Sequence, residues 1–125
     1  MSKKALIIED NELVSETLKA MLEFLGFDVV IAEDGYKALE KFQSAMESNN
    51  SFDIVFVDLV LPEMSGREVF EKLKEIEPTI KAVISSGYSD DPAIKDYENL
   101  GFKGVLNKPY TIEELREILK KLSLL

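Results

Sequence analysis

The 125-residue chain contains no cysteine and no histidine. Without cysteine there is no disulfide, no thiolate metal site and no cysteine nucleophile. Without histidine there is no imidazole to act as base, metal ligand or phosphate carrier, so any such group has to come from another molecule. Basic residues are also scarce, 15 against 24 acidic ones, for a formal net charge of −9, and the acids are spread along the chain. Nucleic acid would be repelled by such a surface. Long apolar stretches are missing too. The basic start Met1-Ser2-Lys3-Lys4 runs into a charged turn at Glu9 with no signal-peptide core, and no run has the length of a membrane span. The expectation is a cytoplasmic protein without a membrane segment.

What is present has the balance of an ordinary globular protein, 46% hydrophobic and 31% charged. This length makes a single domain, 1–125, able to bury a core without staples. Apolar, strand-like runs near 4–8, 28–32, 53–58, 80–85 and 103–107 alternate with helical patterns near 11–25, 35–48, 66–76, 91–99 and 111–124. In the first helix, Val14, Leu18, Met21, Leu22 and Leu25 form one apolar stripe, and Gly26 supplies a stop. The last helix opens with Thr111-Ile112-Glu113-Glu114, the spacing of a capping box. The polar stretch from Gln43 to Ser51 reads as a helix end and a spacer. Five βα units predict an α/β fold, an open doubly wound parallel sheet with helices on both faces. In such sheets ligands gather outside the carboxyl ends of the strands, at the point where strand order reverses.

Three of the strand-like runs stop at charge: Leu6-Ile7-Ile8 at Glu9-Asp10, Ile54-Val55-Phe56-Val57 at Asp58, and Val105-Leu106-Asn107 at Lys108-Pro109. Ser86 ends a fourth. Glu9, Asp10 and Asp58 offer only oxygen ligands, which suit a hard octahedral cation such as Mg²⁺ rather than zinc. Crowding three carboxylates is costly unless a cation neutralises them. The acidic pair also suits a helix cap, with Asp10 or Asn11 at the start of the first helix, and the two readings are compatible. Taken singly, Asp58 and Ser86 fit turns and Lys108 fits a solvated charge; together they line one rim.

These residues resemble the receiver (CheY-like) domain of two-component response regulators. The resemblance rests on Glu9-Asp10, on Asp58 with Pro62 and Gly66 after it, on Ser86 followed by Gly87, and on Lys108-Pro109, and it covers nearly the whole chain. It implies the flavodoxin-like strand order 2-1-3-4-5. It further implies that Asp58 accepts a phosphoryl group from a phosphohistidine on a sensor histidine kinase or a histidine phosphotransfer domain, which fits the missing histidine. Mg²⁺ is then expected on Asp10, Asp58 and the backbone carbonyl of Val60, with Glu9 acting through a metal-bound water. Lys108 is expected to pair with Asp58 and later with the phosphoryl group. Ser86 is expected to donate its hydroxyl to that group and draw the following loop inward, switching the surface of the fourth helix, fifth strand and last helix. Lys108-Pro109 is expected to be cis. The implied molecule is a phosphoacceptor that assists its own phosphorylation and dephosphorylation, a monomer or a weak phosphorylation-dependent dimer that controls a downstream target protein or passes the phosphoryl group on. No output domain follows the last helix within these residues, which fits a free-standing receiver or a piece of a hybrid kinase or larger regulator.

One departure concerns position 105, three before the site lysine, where many receivers carry an aromatic switch residue and this chain has Val105. Tyr88, two past Ser86, is a candidate substitute. Val60 and Tyr88 would flank the phosphoryl group and exclude water, giving slow hydrolysis. Asn11, Leu13, Thr17 and Tyr110 border the acceptor, where a kinase would dock. Other readings of the architecture fail on their own terms. A flavodoxin-like phosphate loop would not carry Glu9-Asp10-Asn11. No G-x-x-x-x-G-K-[ST] loop exists, and a haloacid dehalogenase would need an acid where Val60 stands. The remaining alternative is a receiver-like interaction module that never carries phosphate.

Overall fold

The computed structural model describes residues 2–87 and 91–125. Tyr88 therefore lies outside the described residues. The order of elements is β1 (Lys4–Ile8), α1 (Glu12–Phe24), β2 (Asp28–Ala32), α2 (Gly35–Glu47), β3 (Ile54–Val57), α3 (Gly66–Ile76), β4 (Ala82–Ser86), α4 (Pro92–Lys95), α5 (Tyr97–Leu100), β5 (Gly104–Asn107) and α6 (Ile112–Lys121). The strands form one parallel sheet in the order β2-β1-β3-β4-β5, as the sequence led us to expect.

Why the sheet takes helices on both faces follows from the period of two along each strand. Ala5 and Ile7 of β1, Ile54 and Phe56 of β3 and Val83 of β4 point into a core shared with Leu18 and Leu22 of α1 and Leu115 and Leu119 of α6. Their neighbours Leu6, Ile8, Val55, Val57 and Ile84 face the opposite core, with Phe42 of α2 and Val69, Phe70 and Leu73 of α3. Every residue of β3 is buried, which explains its unbroken apolar run.

Local signals set the helix ends. Asn11, rather than Asp10, caps α1: its side chain accepts from the Val14 amide at 3.1 Å. Gly26, at φ 96°, turns the chain out of that helix. Thr111 and Glu114 form the anticipated capping box of α6.

The pattern near 91–99 predicts one helix, and there the structure differs. The segment is split at Asp96 into two four-residue turns, α4 and α5. The second has no side-chain cap and buries none of its residues, so too little apolar stripe exists to hold one continuous helix against the sheet. Its end is instead fastened from outside: Lys74 of α3 donates to the Leu100 carbonyl at 2.8 Å and lies over the Phe70 ring, 4.9 Å from its centre. Phe70 in turn stacks on Phe102 with ring centres 3.9 Å apart. No helix among the described residues is long and apolar enough to cross a membrane.

Candidate functional site

β1 pairs with β2 on one side and β3 on the other, so strand order reverses between β1 and β3. The residues just past these two strands are held by extensions of the ladder. The Glu9 amide donates to the Ala32 carbonyl at 3.0 Å and the Asp58 amide to the Ile8 carbonyl at 3.1 Å. On the far side, the Lys108 amide, one residue past the end of β5, donates to the carbonyl of Ser86, the last residue of β4, at 2.8 Å. The sheet itself thus aims all four strand ends at one edge.

Glu9, Asp10 and Asp58 meet there, with one oxygen of each within 4.8 Å of the others. Glu9 and Asp58 are buried and Asp10 is exposed, so the acidic cluster opens to solvent on the Asp10 side. Lys108 reaches in from the β5 end: its ammonium donates to Glu9 Oε1 at 2.5 Å and to Asp58 Oδ2 at 3.3 Å. The second oxygens of Glu9 and Asp58 are held by the backbone. Asn11 N donates to Glu9 Oε2 at 3.2 Å, and Val60 N donates to Asp58 Oδ1 at 3.2 Å. The Lys108-Pro109 peptide is cis, as expected. Ser86 is fully buried at the end of β4.

The electrostatics follow from crowding. Burial pushes the Glu9 carboxyl above its usual range; the hydrogen bond from Lys108 pulls it back, and Asp58 pushes it up again. Burial works against the Lys108 ammonium, yet the Glu9 hydrogen bond and the Asp58 charge outweigh it and leave the lysine above its ordinary value. Three carboxylates facing one ammonium leave two negative charges uncompensated, a deficit matched by one divalent cation. All-oxygen donors of this kind favour a hard cation such as Mg²⁺ over softer metals.

The turn after Asp58 is as tightly constrained as the strands. A Cβ on Gly66 would lie 2.2 Å from the Asp58 carbonyl oxygen and 2.8 Å from Leu59 Cα, so only glycine lets the start of α3 close over the end of β3. Gly66 N donates to the Leu59 carbonyl at 3.0 Å across that contact. Val60, between them, is 51% exposed.

The sequence matches the response regulator receiver domain family over residues 5–120. The chain belongs to that family. Such receivers are phosphoacceptor signalling domains of two-component systems rather than enzymes in the ordinary sense. This receiver is 31% identical over 122 residues to the transcriptional regulatory protein CrdR of Helicobacter pylori, an alignment covering 97% of this chain and 55% of CrdR. The chain therefore spans about half the length of that relative. It is 27% identical over 121 residues to sporulation initiation phosphotransferase F of Bacillus subtilis, covering 97% of this chain and 94% of that protein. Among solved structures, a CheY-like receiver domain from Methylobacillus flagellatus superposes with a TM-score of 0.82 at 35% identity, covering 98% of this chain and 99% of that one.

All the strand-end residues singled out from sequence, Glu9, Asp10, Asp58, Ser86 and Lys108, end at this edge, with Val60 beside Asp58. One feature escaped sequence reasoning: Glu9 is bonded directly to Lys108, across 99 positions of chain, which no local signal encodes. Tyr110, expected at the border of the site, packs beside the Ser85 side chain, and burial pushes its phenol up.

Proposed function

We propose that Asp58 is the phosphoryl acceptor of this receiver and that the donor is a phosphohistidine on a sensor histidine kinase or a histidine phosphotransfer domain. The observation that carries this reading is the convergence of a buried, backbone-held carboxylate with two further carboxylates and one ammonium at the switch point of the sheet. An Asp58 oxygen attacks phosphorus, the new O–P bond forms as the P–N bond to imidazole breaks, and the departing ring nitrogen keeps the electron pair and takes a proton. The hydrogen bond from Val60 N holds Asp58 Oδ1 and thereby orients the carboxylate. Lys108, already bonded to Oδ2, is placed to follow the negative charge onto a phosphoryl oxygen. Ser86 supplies a hydroxyl from the end of β4 and transmits the change to the segment that leads into α4 and to the face made by α4, β5 and α6.

The donor set fits Mg²⁺: Asp10, Asp58 and the Val60 carbonyl would hold it, and Glu9 would act through a water. When bound, the ion supplies charge neutralisation for the transferring phosphoryl oxygens. The partner is expected on the exposed rim of Asn11, Leu13 and Thr17. There an apolar cleft of about 340 Å³ lies between α1 and Pro109-Tyr110, and Leu13 is 78% exposed. Similarity to a protein named a phosphotransferase supports this reading of the exchange.

The test is direct. Incubation with Mg²⁺ and a small-molecule phosphodonor should add one phosphoryl mass, and Asp58→Ala should abolish it. No mass gain in the wild type would overturn the proposal in favour of an interaction module.

A further inference from the structure

A second concavity lies between α3 and α5, and none of Glu9, Asp10, Asp58, Ser86 and Lys108 lines it. Arg67, Phe70, Glu71 and Lys74 recur at spacings of three and four, so one face of α3 turns to Leu100 and Phe102 across a crevice of about 110 Å³. Its floor is apolar, where the buried rings of Phe70 and Phe102 stack. Its rim is charged. Arg67 is exposed and makes no ion pair or side-chain hydrogen bond among the described residues, although Glu71 stands one turn further on. Lys74 uses one of its three ammonium protons on the Leu100 carbonyl, leaving two for another acceptor.

Size and chemistry together select the ligand. At about 30 Å³ per water the crevice has room for roughly three or four waters, hence for a ligand of about four to six heavy atoms, which excludes nucleotides and sugars. Two cations, Arg67 and Lys74, face one carboxylate, Glu71, and the surplus positive charge matches a monoanion. A guanidinium takes a planar carboxylate through two parallel N–H donors, and an apolar floor favours a hydrocarbon tail over the hydrated oxygens of phosphate. We propose that this crevice binds a short-chain monocarboxylate of the size of butyrate, its carboxylate on Arg67 and Lys74 and its tail against Phe70, Phe102 and Leu100. The ligand bridges α3 to α5, the turn that buries none of its own residues, and so fastens it further. The inference goes beyond the acceptor reading of Asp58 and does not rest on it.

An amide chemical-shift titration of the full chain with sodium butyrate tests it, against sodium chloride, sodium phosphate and butanol at matched concentrations. Butyrate should shift the amides of residues 67–74 and 97–102 saturably, with a Kd of about 1–10 mM, and should slow hydrogen exchange at Gly101 and Phe102. Arg67→Gln, a change at an exposed side chain without a partner, should weaken binding at least about fivefold. No saturable shift up to about 50 mM butyrate overturns the proposal. An equal response to chloride or phosphate also overturns it, because charge alone would then suffice, and an equal response to butanol does so because the tail alone would. Unchanged affinity in Arg67→Gln, or shifts centred on Glu9, Asp10 and Asp58 instead of α3 and α5, likewise overturns the assignment.

Discussion

Gly66 sits against the backbone of Asp58 so closely that a single added carbon would lie 2.2 Å from the Asp58 carbonyl oxygen. The backbone of Asp58 and the first residue of α3 are thus one mechanical unit. The obstacle is backbone, which cannot swing aside as a side-chain tip does.

Gly66→Ala should therefore destabilise the fold by about 1–3 kcal/mol, the usual range for overpacking, and lower phosphoryl uptake by misplacing Asp58. Gly87→Ala is the matched control. Among the described residues its added carbon would meet only Lys108 Cβ at 4.0 Å, an ordinary contact, so its melting temperature should stay near that of the wild type. Equal losses in both variants would contradict the close-packing account.

Neutralising the acidic cluster should stabilise the chain. A ligand that binds only the folded state adds about 2.7 kcal/mol at a hundredfold excess over its Kd. Thermal melts with increasing Mg²⁺ should shift upward, and the shift should shrink in Asp10→Asn, which removes the exposed carboxylate of the set. A shift that survives unchanged in Asp10→Asn would argue that the ion binds elsewhere.

Tyr110 carries a pH signature. Burial favours its neutral phenol and raises its folded value above the ordinary 10.0, with the Ser85 hydroxyl a smaller, opposing influence. Its contribution to stability is therefore complete below pH 10.0 and is lost as pH rises through the folded value. Tyr110→Phe cannot ionise, so the stability gap between wild type and variant should move in favour of the variant as the solution becomes alkaline. Ultraviolet titration of phenolate should lose a component that ionises above the ordinary 10.0 in the same variant.

The fastening of α5 by Lys74 is testable on its own. Lys74→Met keeps the apolar stem but leaves the Leu100 carbonyl without its donor and the Phe70 ring without its cation. The expected cost is about 1–3 kcal/mol. Faster hydrogen exchange should be confined to Leu100, Gly101 and Phe102, with the amides of β1 and β3 unaffected. Uniform acceleration across the sheet would instead mean a global loss of stability.

Much of this molecule was legible in one dimension. Continuous apolar runs such as Ile54 to Val57 can only be strands buried on both faces, and alternating them with amphipathic helices leads to a doubly wound parallel sheet. Because a strand emits its next residue at the sheet edge, Glu9, Asp10, Asp58, Ser86 and Lys108 were placed together before any distance was known. The helix ends at Asn11 and Thr111 were equally local, each decided by a side chain and an amide three residues apart. Tertiary structure decided whatever depends on how separate strand ends meet. It joined Lys108 to Glu9 more closely than to Asp58, because strand order brings β1 and β5 to the same edge while side-chain reach settles which carboxylate the ammonium takes. It broke the segment after Asp91 into α4 and α5, since burial across the sheet, which sequence periodicity does not measure, was too slight to sustain one helix. And it made Gly66 indispensable through a backbone contact with Asp58, a relation of shape that the seven intervening residues do not spell out.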